Sequence, residues 1–213
     1  TNYPEGQSET FVVENNPIQP EQGSHTITFS REAWIEADDF METPIPKYKR
    51  LTPNGPECRL KGAYLISCTG CKKDENGNVV EVYATYDPDS RGGDPADGRK
   101  VKGATIHWVD AENCVDAEVR EYDNLFADAQ PDAAEDFLTC LNPDSLHVLT
   151  GCKVEASLVA EAKKFDAVAD RAGKNAPAFQ FMRLGYFCLD NQDCHADHLV
   201  FNRSVGLKDS FKK

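Results

Sequence analysis

The sequence predicts a mostly β protein whose strands close as barrels or stack as a sandwich. Period-two alternation of apolar and polar residues recurs along the first half, an Asn-Gly pair separates two alternating segments, and Gly and Pro punctuate the intervals. Many short strands of this kind hide their edges by closure or by packing sheet on sheet.

The alternating segments are His25-Thr26-Ile27-Thr28-Phe29, Ala63-Tyr64-Leu65-Ile66-Ser67, Val79 to Tyr86, and Ala104-Thr105-Ile106-His107-Trp108-Val109. Asp74-Glu75-Asn76-Gly77-Asn78 joins the second to the third, and its Asn-Gly pair tolerates the positive φ that closes a hairpin. A second turn is Asp94-Pro95-Ala96-Asp97-Gly98. Helical spacing marks Pro131 to Leu141, with Asp132, Glu135 and Asp136 near its start where the helix dipole favours acids. It also marks Glu155 to Ala172, where Leu158, Ala162, Phe165, Val168 and Ala169 share a face and Gly173 acts as a stop. Both read as packing helices. A boundary falls near residues 110–113, and no internal repeat or low-complexity tract interrupts the chain.

The chain has 213 residues, 40% hydrophobic and 28% charged, enough for one large or two small cores. No segment approaches the roughly 20 apolar residues of a membrane helix, and Thr1-Asn2-Tyr3-Pro4-Glu5 is no secretory leader, so a cytoplasmic protein is expected. A start without Met reads as a domain from a longer protein. Eight cysteines in a chain too long to need staples are expected as reduced thiols. The net charge of −13 speaks against a polyanionic partner, but a polyanion senses the field of one face, and an acidic protein can carry a basic groove.

Chemistry-bearing patterns are sparse. Cys68-Thr69-Gly70-Cys71 has the spacing of half a zinc knuckle, but Cys188, Cys194, His195 and His198 do not complete a second half, so no metal is expected. There is no Gly-x-Ser-x-Gly elbow, no His-Glu-x-x-His and no Walker loop, which removes hydrolase, metalloprotease and P-loop readings. Basic residues do cluster: Lys47-Tyr48-Lys49-Arg50, Arg59-Leu60-Lys61, Lys72-Lys73 and Arg99-Lys100-Val101-Lys102. Brought together, they would form a positive stripe suited to unstacked RNA bases; kept apart, they would merely solvate strand edges. In Ala178 to Cys188 an amide and a guanidinium, Gln180 and Arg183, stand among aromatics. Gln180 can donate and accept at once, matching a uridine edge, and Arg183 can stack or hold phosphate.

Several runs resemble the C-terminal, anticodon-binding region of glutaminyl-tRNA synthetases. They are Tyr48-Lys49-Arg50-Leu51, Asp94 to Gly103, Ile106-His107-Trp108-Val109, Glu121 to Phe126, Asn142 to Leu146, Ala178-Phe179-Gln180-Phe181, Gly185 to Asp190 and Phe201 to Leu207, in order and almost end to end. The resemblance implies two β-barrels of the kind found in 5S-rRNA-binding ribosomal proteins. Residues 27–110 would form the distal barrel; residues 1–26 with 111–213 would form the proximal one, carrying an inserted helix at about 155–172. It implies an anticodon loop lying across both barrels, with base contacts at Lys49, Arg50, Arg59, Lys61, Gln180 and Arg183, and phosphate contacts at Lys47, Arg99, Lys100 and Lys102. Lys61 stands where the family often has arginine, so a forked contact becomes a point charge. The partner implied is the tRNA(Gln) anticodon stem-loop, bound by a monomer, with no DNA and no membrane. ATP and Mg2+ would serve a catalytic domain outside this chain, which itself needs no cofactor and is expected to be non-catalytic. The neighbouring readings are the same barrel pair from a glutamyl-tRNA synthetase, and a structural or zinc-binding interaction domain.

Overall fold

Phe29 gathers the aromatic residues of the first half of the chain. In the computed structural model, which describes residues 1–207, its ring centroid lies 5.0 Å from Tyr3, 5.1 Å from Trp108, 5.3 Å from Tyr64 and 6.2 Å from Phe11. These contacts are edge-on or tilted, as ring quadrupoles favour. The chain divides into two compact units, Thr1–Cys114 and Val115 onward. The aromatic cluster, with Leu51, Leu60, Ile66 and Ile106, is the core of the first.

The fold is mostly β. In the first unit β1 (Glu9–Glu14) pairs antiparallel with β2 (Ser24–Phe29), and β3 (Ala33–Trp34) with β8 (Val109–Asp110). β4 (Cys58–Leu60), β5 (Leu65–Lys73), β6 (Val79–Tyr86) and β7 (Thr105–Ile106) form a four-stranded sheet in the order β6-β5-β4-β7. The β5–β6 turn is closed by Asp74, whose Oδ1 accepts from the backbone of Asn76 at 2.9 Å and of Asn78 at 2.7 Å. Within that turn the positive φ falls on Gly77, at 85°, while Asn76 stays out of the left-handed region.

The single strand expected over Ala104–Val109 is two short ladders. β7 pairs parallel with β4 and β8 antiparallel with β3, so the chain changes sheet at His107-Trp108. Trp108 turns its ring into the core while its Nε1 donates to the Lys61 carbonyl at 3.0 Å. Asp110, buried, accepts from Ser30 and Thr28.

Residues 1–26, grouped by the resemblance with 111–213, pack here within the first unit. Tyr3 and Phe11 are core residues, and Asn2 exchanges two hydrogen bonds with the Tyr86 backbone at 2.9 and 2.8 Å. Glu9 binds this segment to the sheet: its carboxylate accepts from Tyr64 at 2.6 Å, Tyr3 at 3.1 Å and Arg91 at 3.0 Å.

The second unit is one five-stranded sheet, order β10-β9-β13-β12-β11, made of β9 (Cys114–Tyr122), β10 (Leu146–Glu155), β11 (Ala178–Phe181), β12 (Gly185–Leu189) and β13 (Leu199–Gly206). Its core holds Phe187, Leu189, Val200 and Phe201, closed over by Ala162 and Phe165 of α1 (Leu158–Asp166). The helix expected over Glu155–Ala172 is thus shorter. Asp166 ends it by accepting from Arg171 at 2.7 Å and from the Ala196 backbone at 2.9 Å, and Asp170 then turns left-handed with φ 60°. Pro131–Leu141, expected as a packing helix, is only two 3-10 turns, Pro131–Ala133 and Phe137–Cys140. Phe137 and Leu138 are more than half exposed. With no face buried, so short a segment lacks the packing that sustains a helix. Residues 208–213 of the expected proximal barrel lie outside the described residues.

Burial opposes ionisation of Glu9, but hydrogen bonds from Tyr64, Arg91 and Tyr3 outweigh it and hold the carboxyl below its ordinary 4.5. A depressed folded pKa contributes stability that is present above the ordinary value and lost as pH falls through the folded one. Glu9→Gln is therefore expected to cost about 1–2 kcal/mol near neutrality, and the gap to the parent protein should narrow below about pH 4. Urea melts across pH check this; a gap that stays constant into acid would show that the charge contributes nothing.

Candidate nucleic-acid interface

The segment 37–50 folds back on itself around a buried acid. Ala37–Asp39 is a 3-10 turn, the Leu51 backbone donates to the Asp39 carbonyl at 3.0 Å, and Met41 donates to the Leu51 carbonyl at 3.0 Å. Asp39 is fully buried, and its carboxylate lies 3.5 Å from Arg50 Nε. Arg50 Nη1 and the Tyr48 hydroxyl both donate to the Asp38 carbonyl, at 2.9 and 3.0 Å. The guanidinium is held in one orientation while its side chain stays 31% exposed. Around it opens a pocket of about 550 Å³, with Phe40, Met41 and Ile45 beside Lys47, Lys49 and Arg50. An apolar wall with a cationic rim fits a flat polar ring that carries negative charge nearby.

Backbone bonds tie the segment at Arg59 to Ala104 and to this pocket. Ala104, which lines the pocket, donates to the Lys49 carbonyl at 2.7 Å and accepts from the Arg59 backbone at 3.0 Å. Lys47, Lys49, Lys61, Lys100 and Lys102 are exposed. The arginines are more committed. Arg59 donates from Nε to the Gly93 carbonyl and pairs with Asp94 at 3.0 Å. Arg99 is enclosed by Glu57 at 2.8 Å, Asp87 at 2.6 Å and Asp97 at 3.0 Å, with Glu57 first in pushing its pKa further up. Lys72 and Lys73 pair with Glu81 and Glu42, so this part of the expected stripe is neutralised within the protein.

In the second unit Gln180 and Arg183 share one hairpin. Gln180 is exposed on β11, and Arg183 sits in the β11–β12 turn with φ 68°. The expected aromatic surround of Gln180 is not there. Phe179 and Phe181 point to the other face and pack in the core, Phe181 stacked on Phe187 at 4.4 Å. The aromatic beside Gln180 is Tyr186, directly opposite it in the ladder. Period two along β11 together with the hairpin register could have located it from the sequence.

Among the described residues no group of three or more His, Cys, Asp or Glu is placed to hold a metal ion. Cys58, Cys68 and Cys194 are buried, and burial pushes the Cys58 thiol up to about 11, so it acts as a small apolar filler. No helix is long and apolar enough to cross a membrane among the described residues.

Comparison with known proteins places this geometry in a class. Residues 1–87 and 105–190 match two models with one description, the anticodon-binding domain of class I (E and Q) tRNA synthetases. The chain belongs to that family. It is 48% identical over 213 residues to the glutamine–tRNA ligase of Vibrio vulnificus, covering 100% of this chain and 35% of that protein. The glutamine–tRNA ligases of Colwellia psychrerythraea and Photobacterium profundum are each 48% identical, over 212 and 209 residues. They are covered to 36% and 35% of their lengths, so the chain spans about a third of these relatives.

Two of the four non-glycine residues with positive φ among the described residues are Lys47 and Arg183, at 69° and 68°. A side chain with a Cβ is strained there, and strain that persists points to use. Lys47→Gly is expected to raise stability by about 0.5–1 kcal/mol while weakening RNA binding. Denaturant melts and filter binding, run on the same samples, check both; a variant that is more stable and binds equally well would remove Lys47 from the interface.

Proposed function

We propose that the chain reads the anticodon of tRNA(Gln) for a parent enzyme that joins glutamine to that tRNA with ATP. The observation that supports this most directly is Arg50, pre-aimed by Asp38 and Asp39 into a pocket rimmed by Lys47 and Lys49. Guanine at the third anticodon letter presents two adjacent acceptors that a guanidinium fork matches, and Arg50 is assigned to them. Gln180 is assigned to the middle uridine, whose edge offers acceptor, donor and acceptor. Arg59, Lys61 and Arg183 complete the base contacts. Lys47, Lys100 and Lys102 meet phosphate; Arg99 braces the loop that carries the last two. The relatives' names favour glutamine over glutamate as the amino acid. ATP and Mg2+ belong to parts of the parent beyond these residues, and this chain alone, a cytoplasmic-type monomer, is assigned no catalysis.

A binding matrix tests the reading. Arg50→Ala and Gln180→Glu are each expected to cost about 1–3 kcal/mol on the cognate anticodon stem-loop and to relax discrimination at their own letter only. Lys102→Ala should weaken all loops alike and lower the salt slope by about one unit. Equal weakening of every loop by Gln180→Glu would refute its role as a base reader.

The isolated chain should also bind the loop more weakly as salt rises, because lysine–phosphate contacts release counterions. Titrations at increasing salt measure this, and a flat response would refute the basic rim. Incubation with glutamine, ATP and tRNA should yield no glutaminyl-tRNA; charging by the chain alone would overturn the non-catalytic assignment.

A further inference from the structure

Gln180, Tyr186 and Val205 form a row across three strands. Tyr186 is opposite Gln180 in the β11–β12 ladder and opposite Val205 in the β12–β13 ladder. Directly opposed residues share a face. Phe179, Phe181 and Phe187 occupy the inward face, so the row looks outward, with Tyr186 46% and Val205 59% exposed. Leu184 and Leu207, each 43% exposed, stand at the hairpin end of the same strands. A tyrosine ring and aliphatic side chains exposed together beside a single amide make an apolar patch that the flat face of a base fits.

The row is also placed by close backbone packing. Gly185 lies so close to β13 that a Cβ there would come within 2.4 Å of the Val205 carbonyl. The ladder then shifts register between Tyr186 and Phe187, which sets the angle at which Tyr186 leaves the sheet.

We infer that Tyr186 is a stacking platform for the unstacked base whose edge Gln180 reads, with Val205 extending the platform. This rests on Gln180 being a base reader. The two side chains divide the work. Every base has a π-face, so the ring contributes affinity without choosing among bases, whereas the Gln180 amide chooses by its donor and acceptor.

The test uses the 213-residue chain and anticodon stem-loops carrying each base, or an abasic site, at the middle letter. Tyr186→Ala is expected to weaken binding about tenfold for all four bases alike and to leave the abasic loop unaffected. Tyr186→Phe should bind like the parent, since the ring is retained. Circular dichroism of each variant checks that the exposed position tolerates the change. A Tyr186→Ala loss that persists on the abasic loop, no loss at all, or a Tyr186→Phe variant as weak as Tyr186→Ala would each overturn the platform. If the abasic pattern holds while Gln180→Glu keeps full middle-letter discrimination, the platform stands and the reading of Gln180 falls.

Discussion

The Glu57 carbonyl oxygen lies 2.1 Å from where a Cβ on residue 103 would stand, so these two stretches of chain can meet only because residue 103 is glycine. The bonds that follow depend on that approach. Gly103 donates to Glu57 at 3.1 Å, Ala104 to Lys49 at 2.7 Å, and Arg59 to Ala104 at 3.0 Å. Three backbone hydrogen bonds thus tie together the chain at Lys49, at Glu57 to Arg59 and at Gly103-Ala104, beside three basic segments. No attraction between lysines could do this, because like charges repel and must be positioned by the neutral backbone beneath them.

The same region shows how a chain of net charge −13 can face a polyanion. Several of its carboxylates brace arginine: Asp39 for Arg50, Asp94 for Arg59, and Glu57, Asp87 and Asp97 for Arg99. In the second unit Glu118, Asp190 and Asp193 do the same for Arg120, and Glu121 for Arg203. Arginine suits this because its planar fork takes several fixed hydrogen bonds at once. Lysines, compact and well hydrated, are left at the surface at 47, 49, 61, 100 and 102. What an anion near the surface senses is this local arrangement rather than the total charge.

The helix carried between β10 and β11 has a structural use. Ala162 and Phe165 cap the core of the second unit, and Asp166 ties the helix end to Arg171 and to the backbone of Ala196. Arg171 in turn donates to the carbonyls of Cys194 and Gln192, at 2.7 and 2.9 Å. The loop before β13 is thereby secured against the helix, through backbone groups that find partners within the protein.

The sequence by itself determined the strand-rich class, the hairpin at Asp74–Asn78, the helix around Phe165 and the basic clusters. Each of these is written in local spacing, which alternation or helical period reports directly. The family likeness carried Arg50 and Gln180 as candidates. Only the tertiary structure decided which of the basic residues are paired, since Arg99 and Lys73 meet Glu57 and Glu42, carboxylates distant in sequence. It alone placed Glu9 against Tyr64 and Asn2 against β6, and split 104–109 between two sheets. Period two along β11 separates Gln180 from Phe179 and Phe181 locally, whereas Val205 comes beside Tyr186 only through the β12–β13 register, a longer-range choice that the burial of one face enforces.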